Sequence, residues 1–406
     1  MAKMAIDLIV TFLGACLLHY YVWRRLVRNT TRPGGRGRRI GTALIMLAVL
    51  VLTSALVFAS IDPDLHALAM VGYLWLAVLF YLIIVLVVLE IPAFFARRAA
   101  GRAAPDSGAV AVGVPAAGDA RTSSNEPEST AARTTRRLFV ARSVAATAGL
   151  VSVATVGYGM TQALGAPRLK RRAITLAKLP RAMDGYRVAL VSDIHLGPIS
   201  GHAHTQRIVD TINRLDADIV AVVGDLVDGS VAQLGHAAEP LRGLRSRDGA
   251  FFVTGNHEYY SGYEEWITEV AELGMRPLRN ERIALPGGLD LAGVNDRTGG
   301  AYGDAPDYAK ALADRDPAKA VILLAHQPVQ VREAAKYGVD LQLSGHTHGG
   351  QLAPFNYVVK LQQPVVSGYD TIDGTQIYVT NGAGFWGPPV RVGAPPDITL
   401  IELRSA

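Results

Sequence analysis

Seven side chains of metal-ligating type fall in five short clusters: Asp193 with His195, Asp225, Asn256, His326, and His346 with His348. Each cluster stands directly after an apolar run, at 188–191, 220–223, 251–253, 321–324 and 341–343. Such runs read as strands, and loops leaving strand ends gather on one edge of a sheet. Five loops spread over 193–348 can therefore meet in one place. Glycines adjoin most of them (Gly197, Gly224, Gly255, Gly345, Gly349, Gly350), which permits sharp turns and close approach of backbone to an ion or a phosphate.

A donor set of Asp, His and Asn without thiolate suits divalent ions of intermediate character, Mn, Fe, Zn or Co, better than calcium or a structural zinc. One carboxylate placed between two such ions can bridge them with its two oxygens. A pair about 3.5–4 Å apart clamps the attacking and leaving oxygens of an in-line displacement and brings the pKa of coordinated water down towards about 7. The chemistry to expect is phosphoester hydrolysis with two divalent ions.

The elements that must position these residues are short β-branched runs alternating with polar helical segments, the pattern of an α/β or mixed layered domain. Strands are predicted at 187–191, 219–223, 251–254, 289–294, 321–325, 341–343, 377–379 and 398–403, and helices at 204–215, 264–273 and 329–337. No internal repeat is visible.

Five ordered blocks carry a family resemblance: SDIHLG at 192–197, GDLVDG at 224–229, GNHE at 255–258, His326 in AHQP, and SGHTHGGQ at 344–351. Together they resemble the calcineurin-like metallophosphoesterase superfamily over residues 173–406. Within it, GHTHGGQ and the GFWGPPVR run at 384–391 resemble a membrane-associated bacterial branch related to lipid and nucleotide-lipid phosphohydrolases. The resemblance implies an α/β (α+β) four-layer sandwich, two mixed β-sheets flanked by helices. It implies one metal on Asp193, His195, Asp225 and His348, and a second on Asp225, Asn256, His326 and His346, with Asp225 bridging. His257 is then the non-ligand histidine beside the scissile phosphate, and Asp228 the carboxylate that orients it. Phosphoprotein phosphatases of this superfamily carry phosphate-gripping arginines where Gly229 and Thr254 stand here, so a protein phosphatase is not expected.

The rest of the chain is of another kind. Up to Arg172 there are 20 Lys and Arg against 8 Asp and Glu; beyond it, 20 against 27. The overall +5 thus hides a basic N-terminal part and a mildly acidic domain, which argues against a nucleic-acid groove. Stretches 5–23, 41–61 and 67–89 are long and apolar enough to cross a bilayer, which takes roughly 20 helical residues. Asp7 and His19 lie towards the ends of the first, where they are expected to snorkel to the interface.

Seven arginines between the first two spans, against two acids and no Lys or Arg at 62–66, place the arginine loop in the cytoplasm. The three-span region is expected over 1–98. Residues 99–135, rich in Ala, Gly, Pro, Ser and Thr, read as a flexible linker. Arg136 and Arg137 then precede an uncharged stretch at 143–166, so 136–166 reads as a fourth crossing or a twin-arginine-like signal; Ala141 departs from that signal's usual lysine. Either reading puts the domain at 173–406 on the extracytoplasmic side of a multi-pass cell-membrane protein. The lone Cys16 permits no intrachain disulfide.

Other candidates have plainer readings. His202, His204 and His236 read as surface residues, with the alternative that His202 or His204, following the first metal-type loop, lines the site entrance; Glu258 reads either as support for the site or as an exposed acid at a helix start. Trp386, Pro388, Pro389 and Arg391 either shape a substrate groove or form a turn against the core. The leading expectation is a membrane-embedded hydrolase of a phosphomonoester, phosphodiester or pyrophosphate, acting on a substrate such as a phospholipid or nucleotide-linked lipid. The alternative is a metal-binding recognition module without turnover on the same anchor. A transporter is disfavoured because the spans lack intramembrane charge pairs and broken helices. The sequence leaves the oligomeric state open.

Overall fold

In the computed structural model, residues 2–58, 65–102 and 126–406 are described. They fall into two compact units, Met1–Thr53 with Trp75–Val156 and Ser54–Leu74 with Gly157–Ala406.

The N-terminal part is helical: α1 (Ala2–Val22), α2 (Arg36–Phe58), α3 (His66–Arg102) and α4 (Glu126–Ala163). Among the described residues, three stretches are long and apolar enough to cross a membrane: Arg36–Phe58, His66–Pro92 and Arg137–Ala163. The first expected span lies in α1, whose side chains before residue 12 are outside the described residues, Asp7 included. His19 does not snorkel. It is buried, with Nδ1 2.7 Å from the Ala15 carbonyl and Nε2 accepting from Trp75 Nε1 at 2.8 Å; a polar ring in an apolar setting is held by partners rather than by water.

Helix enters the 99–135 stretch from both ends, α3 to Arg102 and α4 from Glu126, because the Ala, Arg and Glu there are good helix formers. Linker residues 103–125 lie outside the described residues, as do 59–64 with most of the acidic loop. The paired arginines stand inside α4.

The C-terminal domain has twelve strands: β1 (Arg168–Leu176), β2 (Arg187–Val191), β3 (Ile219–Val223), β4 (Ala250–Val253), β5 (Met275–Pro277), β6 (Glu281–Leu285), β7 (Leu289–Gly293), β8 (Val321–Leu324), β9 (Leu341–Ser344), β10 (Gly368–Ile372), β11 (Thr375–Val379) and β12 (Asp397–Ser405). One sheet runs β1-β12-β2-β3-β4-β5, the other β10-β11-β9-β8-β7-β6. Both are mixed: β2, β3, β4 and β5 are parallel while β12 opposes β2, and β11, β9, β8 and β7 are parallel while β10 and β6 are antiparallel edges.

Strands buried on both faces read as continuous apolar runs, and β3 (Ile219–Val223) has all five residues buried. Leu190, Ala221, Val223 and Val253 of one sheet join Leu291, Ile322, Leu324 and Leu343 of the other in a central core. On the first sheet's outer face lie α5 (His202–Asn213), α6 (Val231–Ala238) and, beyond the short α7 (Asn256–Tyr260), α8 (Tyr263–Glu272). On the second's lie α9 (Tyr308–Leu312) and α10 (Val331–Lys336), and a single turn, α11 (Asn356–Val359), completes the set. This is the four-layer sandwich.

The four strands not expected from sequence are β1, β5, β6 and β10, at or next to a sheet edge; β1 is Arg- and Lys-rich and starts five residues before the expected boundary at 173. An edge strand satisfies one side with solvent and needs no apolar alternation.

Candidate metal centre

The C-terminal ends of β2, β3 and β4, adjacent and parallel in one sheet, and of β8 and β9, adjacent in the other, all deliver their next residues to one edge of the sandwich. There the nine residues singled out in sequence come together. Asp193, His195 and His348 have ligand-type atoms all within 4.8 Å of one another, as do His195, Asp225 and His257, and Asp225, His326 and His346. Asp225 belongs to two of the groups; its Oδ2 is 3.8 Å from His195 Nε2 and 3.1 Å from His326 Nε2. Asn256 opens α7 beside them, and its Oδ1 is buried without a hydrogen-bond partner. A buried amide oxygen left that way costs on the order of 1–3 kcal/mol unless something else takes its lone pair, which is what a cation does.

The backbone is bent to achieve this. Asp193, His195, Asp225, His346 and His348 all lie in the left-handed region, with φ of 52°, 49°, 53°, 70° and 52°. Outside glycine that region is sparsely used, and clusters of it mark functional sites. The turns are locked to one another: Asp193 N donates to Gly224 O (3.0 Å), His195 N to Asp225 O (3.2 Å), and Gly345 N to His326 O (3.0 Å). The amide of His346 reaches across to both oxygens of Asp193, at 3.1 and 3.0 Å, tying the two sheets together. At Gly255 and Gly345 a Cβ would collide with the carboxylates of Asp225 and Asp193, so only glycine lets these loops close on the acids.

Hydrogen bonds on the far side of each ring fix which nitrogen is free. His326 Nδ1 donates to Val223 O (2.8 Å), leaving Nε2 towards Asp225. Asp228 Oδ1 accepts from His195 Nδ1 at 2.9 Å and from His257 Nδ1 at 2.6 Å. It thus holds a ring of the metal-type cluster as well as the histidine expected from the family pattern. His348 is the exception: Arg391 Nη2 donates to its Nδ1 at 3.0 Å, so the ring hydrogen sits on Nε2, 3.0 Å from His195 Nε2.

The charges follow. Burial alone would raise Asp225, but His326 and His257 outweigh it and hold the carboxyl well below its usual range. Burial would likewise raise Asp228, and its bonds to His195 and His257 bring it down to about 2. Burial would lower His257, whereas the carboxylates of Asp225 and Asp228 lift it to about 9. His326 stands well above an ordinary histidine because Asp225 overcomes its burial. Burial depresses His346 to about 3, and burial with the Arg391 charge depresses His348.

Two supporting residues were not assigned from sequence. Glu258 is fully buried, and its carboxylate accepts from the amides of Asp225 (3.0 Å), Leu226 (2.6 Å) and Gly255 (2.6 Å), bracing two ligand loops. A Glu three residues past a glycine N-cap hinted at a capping box, but not at its reach into β3's loop. Arg391, fully buried, binds the carbonyls of His348 (2.7 Å) and Asn381 (3.0 Å) besides the His348 ring. A charge inside a Gly/Pro run was its only signal. Pro388 and Pro389 pack inward with it, while Trp386 stays 58% exposed at the rim of a cavity of about 490 Å³ that includes His195, Asp228, His257, Tyr260 and Tyr73. His202 and His236 are exposed as expected, but His204 is buried on the apolar face of α5 beside Thr205 and Ile208.

A family model described as calcineurin-like phosphoesterase matches residues 186–350. An uncharacterized metallophosphoesterase of Helicobacter pylori is 41% identical over 257 residues, 62% of this chain and 68% of that protein. A transmembrane protein with metallophosphoesterase domain of Danio rerio is 37% identical over 270 residues, 63% of this chain and 62% of the relative. An uncharacterized metallophosphoesterase of Aquifex aeolicus is 36% identical over 242 residues, 59% of this chain and 92% of the relative.

Proposed function

We propose, from the premise that this chain belongs to the calcineurin-like metallophosphoesterases, that it is a membrane-anchored hydrolase of phosphoric esters working with two divalent ions. The observation that carries the dinuclear reading is Asp225 Oδ2, which faces both the Asp193–His195–His348 group and the His326–His346 group. Asp193, His195, Asp225 and His348 would hold one ion; Asp225, Asn256, His326 and His346 the other. The residues fit: the donor set is all oxygen and imidazole, and the orphaned Asn256 Oδ1 needs a partner. Mn, Fe, Zn and Co all suit it.

When bound, such a pair supplies an activated water and charge stabilisation for an in-line displacement at phosphorus. The chain's own part is proton delivery and exclusion. His257 has its Nδ1 hydrogen committed to Asp228, so the other nitrogen is the one left to protonate the departing ester oxygen. A histidine lifted to about 9 is charged at neutral pH and ready to do so. Tyr260 and Trp386, with ring centres 5.5 and 6.0 Å from His257, flank the approach with apolar faces. Neither Gly229 nor Thr254 offers a cation to grip a phosphomonoester dianion, which favours a phosphodiester or pyrophosphate.

The three apolar helices support anchoring, with the domain extracytoplasmic and the substrate a membrane-borne phosphoester such as a phospholipid or nucleotide-linked lipid. The full chain in detergent with Mn should hydrolyse bis-p-nitrophenyl phosphate and lose more than about 100-fold in Asp225→Asn, beyond what an outer partner of a ligand costs. Absence of turnover across Mn, Fe, Zn and Co at several pH values would overturn the proposal.

A further inference from the structure

We propose that residues 357–361 form a bilayer-insertion tip, whose occupant is the interfacial layer of the membrane and which sets the mouth of the cavity at the lipid surface. The inference rests on the anchored reading above, although not on turnover. Leu361 is 85% exposed, Tyr357 72% and Val358 50%, within five residues, and no residue of α11 is buried. Scattered apolar residues on a surface mean little, whereas a contiguous apolar patch marks a contact.

The tip is firmly framed. Val359 N donates to Phe355 O (3.1 Å), Lys360 N to Asn356 O (3.1 Å) and Gln363 N to Val359 O (3.0 Å). Gln363 is itself buried and accepts from Val329 N at 2.9 Å. A rigid turn that presents Tyr, Val and Leu outward is arranged for an apolar partner.

What that partner is follows from the neighbouring helix. The amide of Arg391 donates to the carbonyl of Gly159 in α4 at 2.9 Å, and the side chains of Val390 and Val392 fill the space where a Cβ on Gly159 would go. Val392 pairs in turn with Leu352 and Ala353, just before the tip. Gly159 is four residues from the end of the candidate span Arg137–Ala163, so it lies about 6 Å inside that end. The segment leading to the tip is therefore joined to the helix near the end of its apolar stretch, where a spanning helix approaches the membrane surface.

Side-chain chemistry agrees. β1 leaves α4 with Arg168, Arg171 and Arg172 exposed, cations suited to anionic head groups, and Tyr357, Lys360 and Trp386 are residue types that anchor at a membrane interface. The tip also borders the site. Gln351, three residues past His348, binds the Trp386 backbone both ways (2.8 and 3.1 Å), and the Trp386 ring stands beside His257. Tyr73, in the apolar α3, lines the same cavity. A head group of a bilayer-resident lipid would reach the mouth without leaving the membrane surface.

The test uses the full chain carrying Cys16→Ser, with Tyr357→Cys, Leu361→Cys or, as control on exposed α8, Glu265→Cys, each labelled with an environment-sensitive fluorophore. The proteins are reconstituted in phosphatidylcholine–phosphatidylglycerol vesicles with or without doxyl-labelled lipid. Labels at 357 and 361 should emit to the blue of 265 and be quenched several-fold more. Quenching equal to that at 265 overturns the tip, and cross-linking of two chains through 357 would show a second copy as occupant and overturn it as well. Turnover of soluble bis-p-nitrophenyl phosphate by the same proteins is read separately. Insertion without turnover leaves the tip standing and removes the catalytic reading, while turnover with labels in water does the reverse.

Discussion

Asp228 touches two histidines with one oxygen, and replacing it by Asn should split into two measurable losses. The first concerns His257. Its proton is retained to about pH 9 because Asp225 and Asp228 outweigh burial. One close carboxylate is worth about 1–3 pKa units, and Asp225, which also lifts His257, stays in place. The Asp228→Asn variant should therefore move the alkaline limb of the kcat profile down by about one unit, or about 1.4 kcal/mol. The direction is fixed by charge: a raised histidine pKa protects the acid form below it, so weakening the lift removes the acid at a lower pH. Cations on Asp225 in the loaded enzyme offset part of its pull, so the wild-type limb itself should fall somewhat below 9. The second loss concerns His195, whose ring is held by the same oxygen at 2.9 Å. An outer partner of this kind is worth about 10–100-fold in metal affinity. Mn titration and kcat–pH profiles of wild type, Asp228→Asn, His257→Asn and the double variant separate the two. In kcat, Asp228→Asn should add little once His257 is gone; in affinity, His257→Asn should change little. An unmoved alkaline limb, or full additivity in kcat, refutes the claim that Asp228 acts through His257.

Three further outcomes follow. Arg391→Lys keeps the charge but loses the fork that serves His348, Asn381 and Gly384, so a chemical-denaturation midpoint should report about 2–4 kcal/mol lost, as buried acceptors go unpaired. Glu258→Gln should cost about 1–3 kcal/mol by the same measurement, because the side-chain NH2 that replaces one carboxyl oxygen cannot accept from the backbone amides it faces. Mn affinity should weaken about tenfold per pH unit lost, because His326 holds its proton well above the ordinary range and must release it to a cation; calorimetry in two buffers of different ionisation enthalpy counts that proton.

How much of this was legible depends on what each residue answers to. Strands β2 and β3 could be read to the residue because they are central, mutually parallel and, apart from Arg187 at the start of β2, apolar and buried. Strand β1 could not, because an edge paired only with β12 tolerates Arg-Leu-Lys-Arg-Arg. The ligand types and their places after strands pointed to one edge of the sandwich, since loop geometry follows strand direction. Glu258 and Arg391 act on backbone groups distant in sequence, and no local pattern records which amide or carbonyl a buried charge will meet. His204 was misread for a related reason: its neighbours look polar, yet its position on α5 shares a face with Ile208. His257 and Asp228 were legible only through the family pattern; chemistry alone left several histidines equal.

The same contrast explains why the centre is built on strain. Five of the seven metal-type residues take a left-handed backbone, each costing on the order of 1 kcal/mol or more, and two buried carboxylates stand in the same cluster. A loop left to itself would relax. These cannot, because Glu258 braces Asp225 and Gly255, Arg391 fastens the His348 turn to Asn381 and Gly384, and the His346 amide bonds to Asp193 from the other sheet. Each brace replaces water around a backbone group with a buried side chain held in place. With its loops fixed in this way, the proposed metal centre would need little rearrangement on loading, and Glu258 and Arg391 contribute to that without belonging to the proposed ligand set.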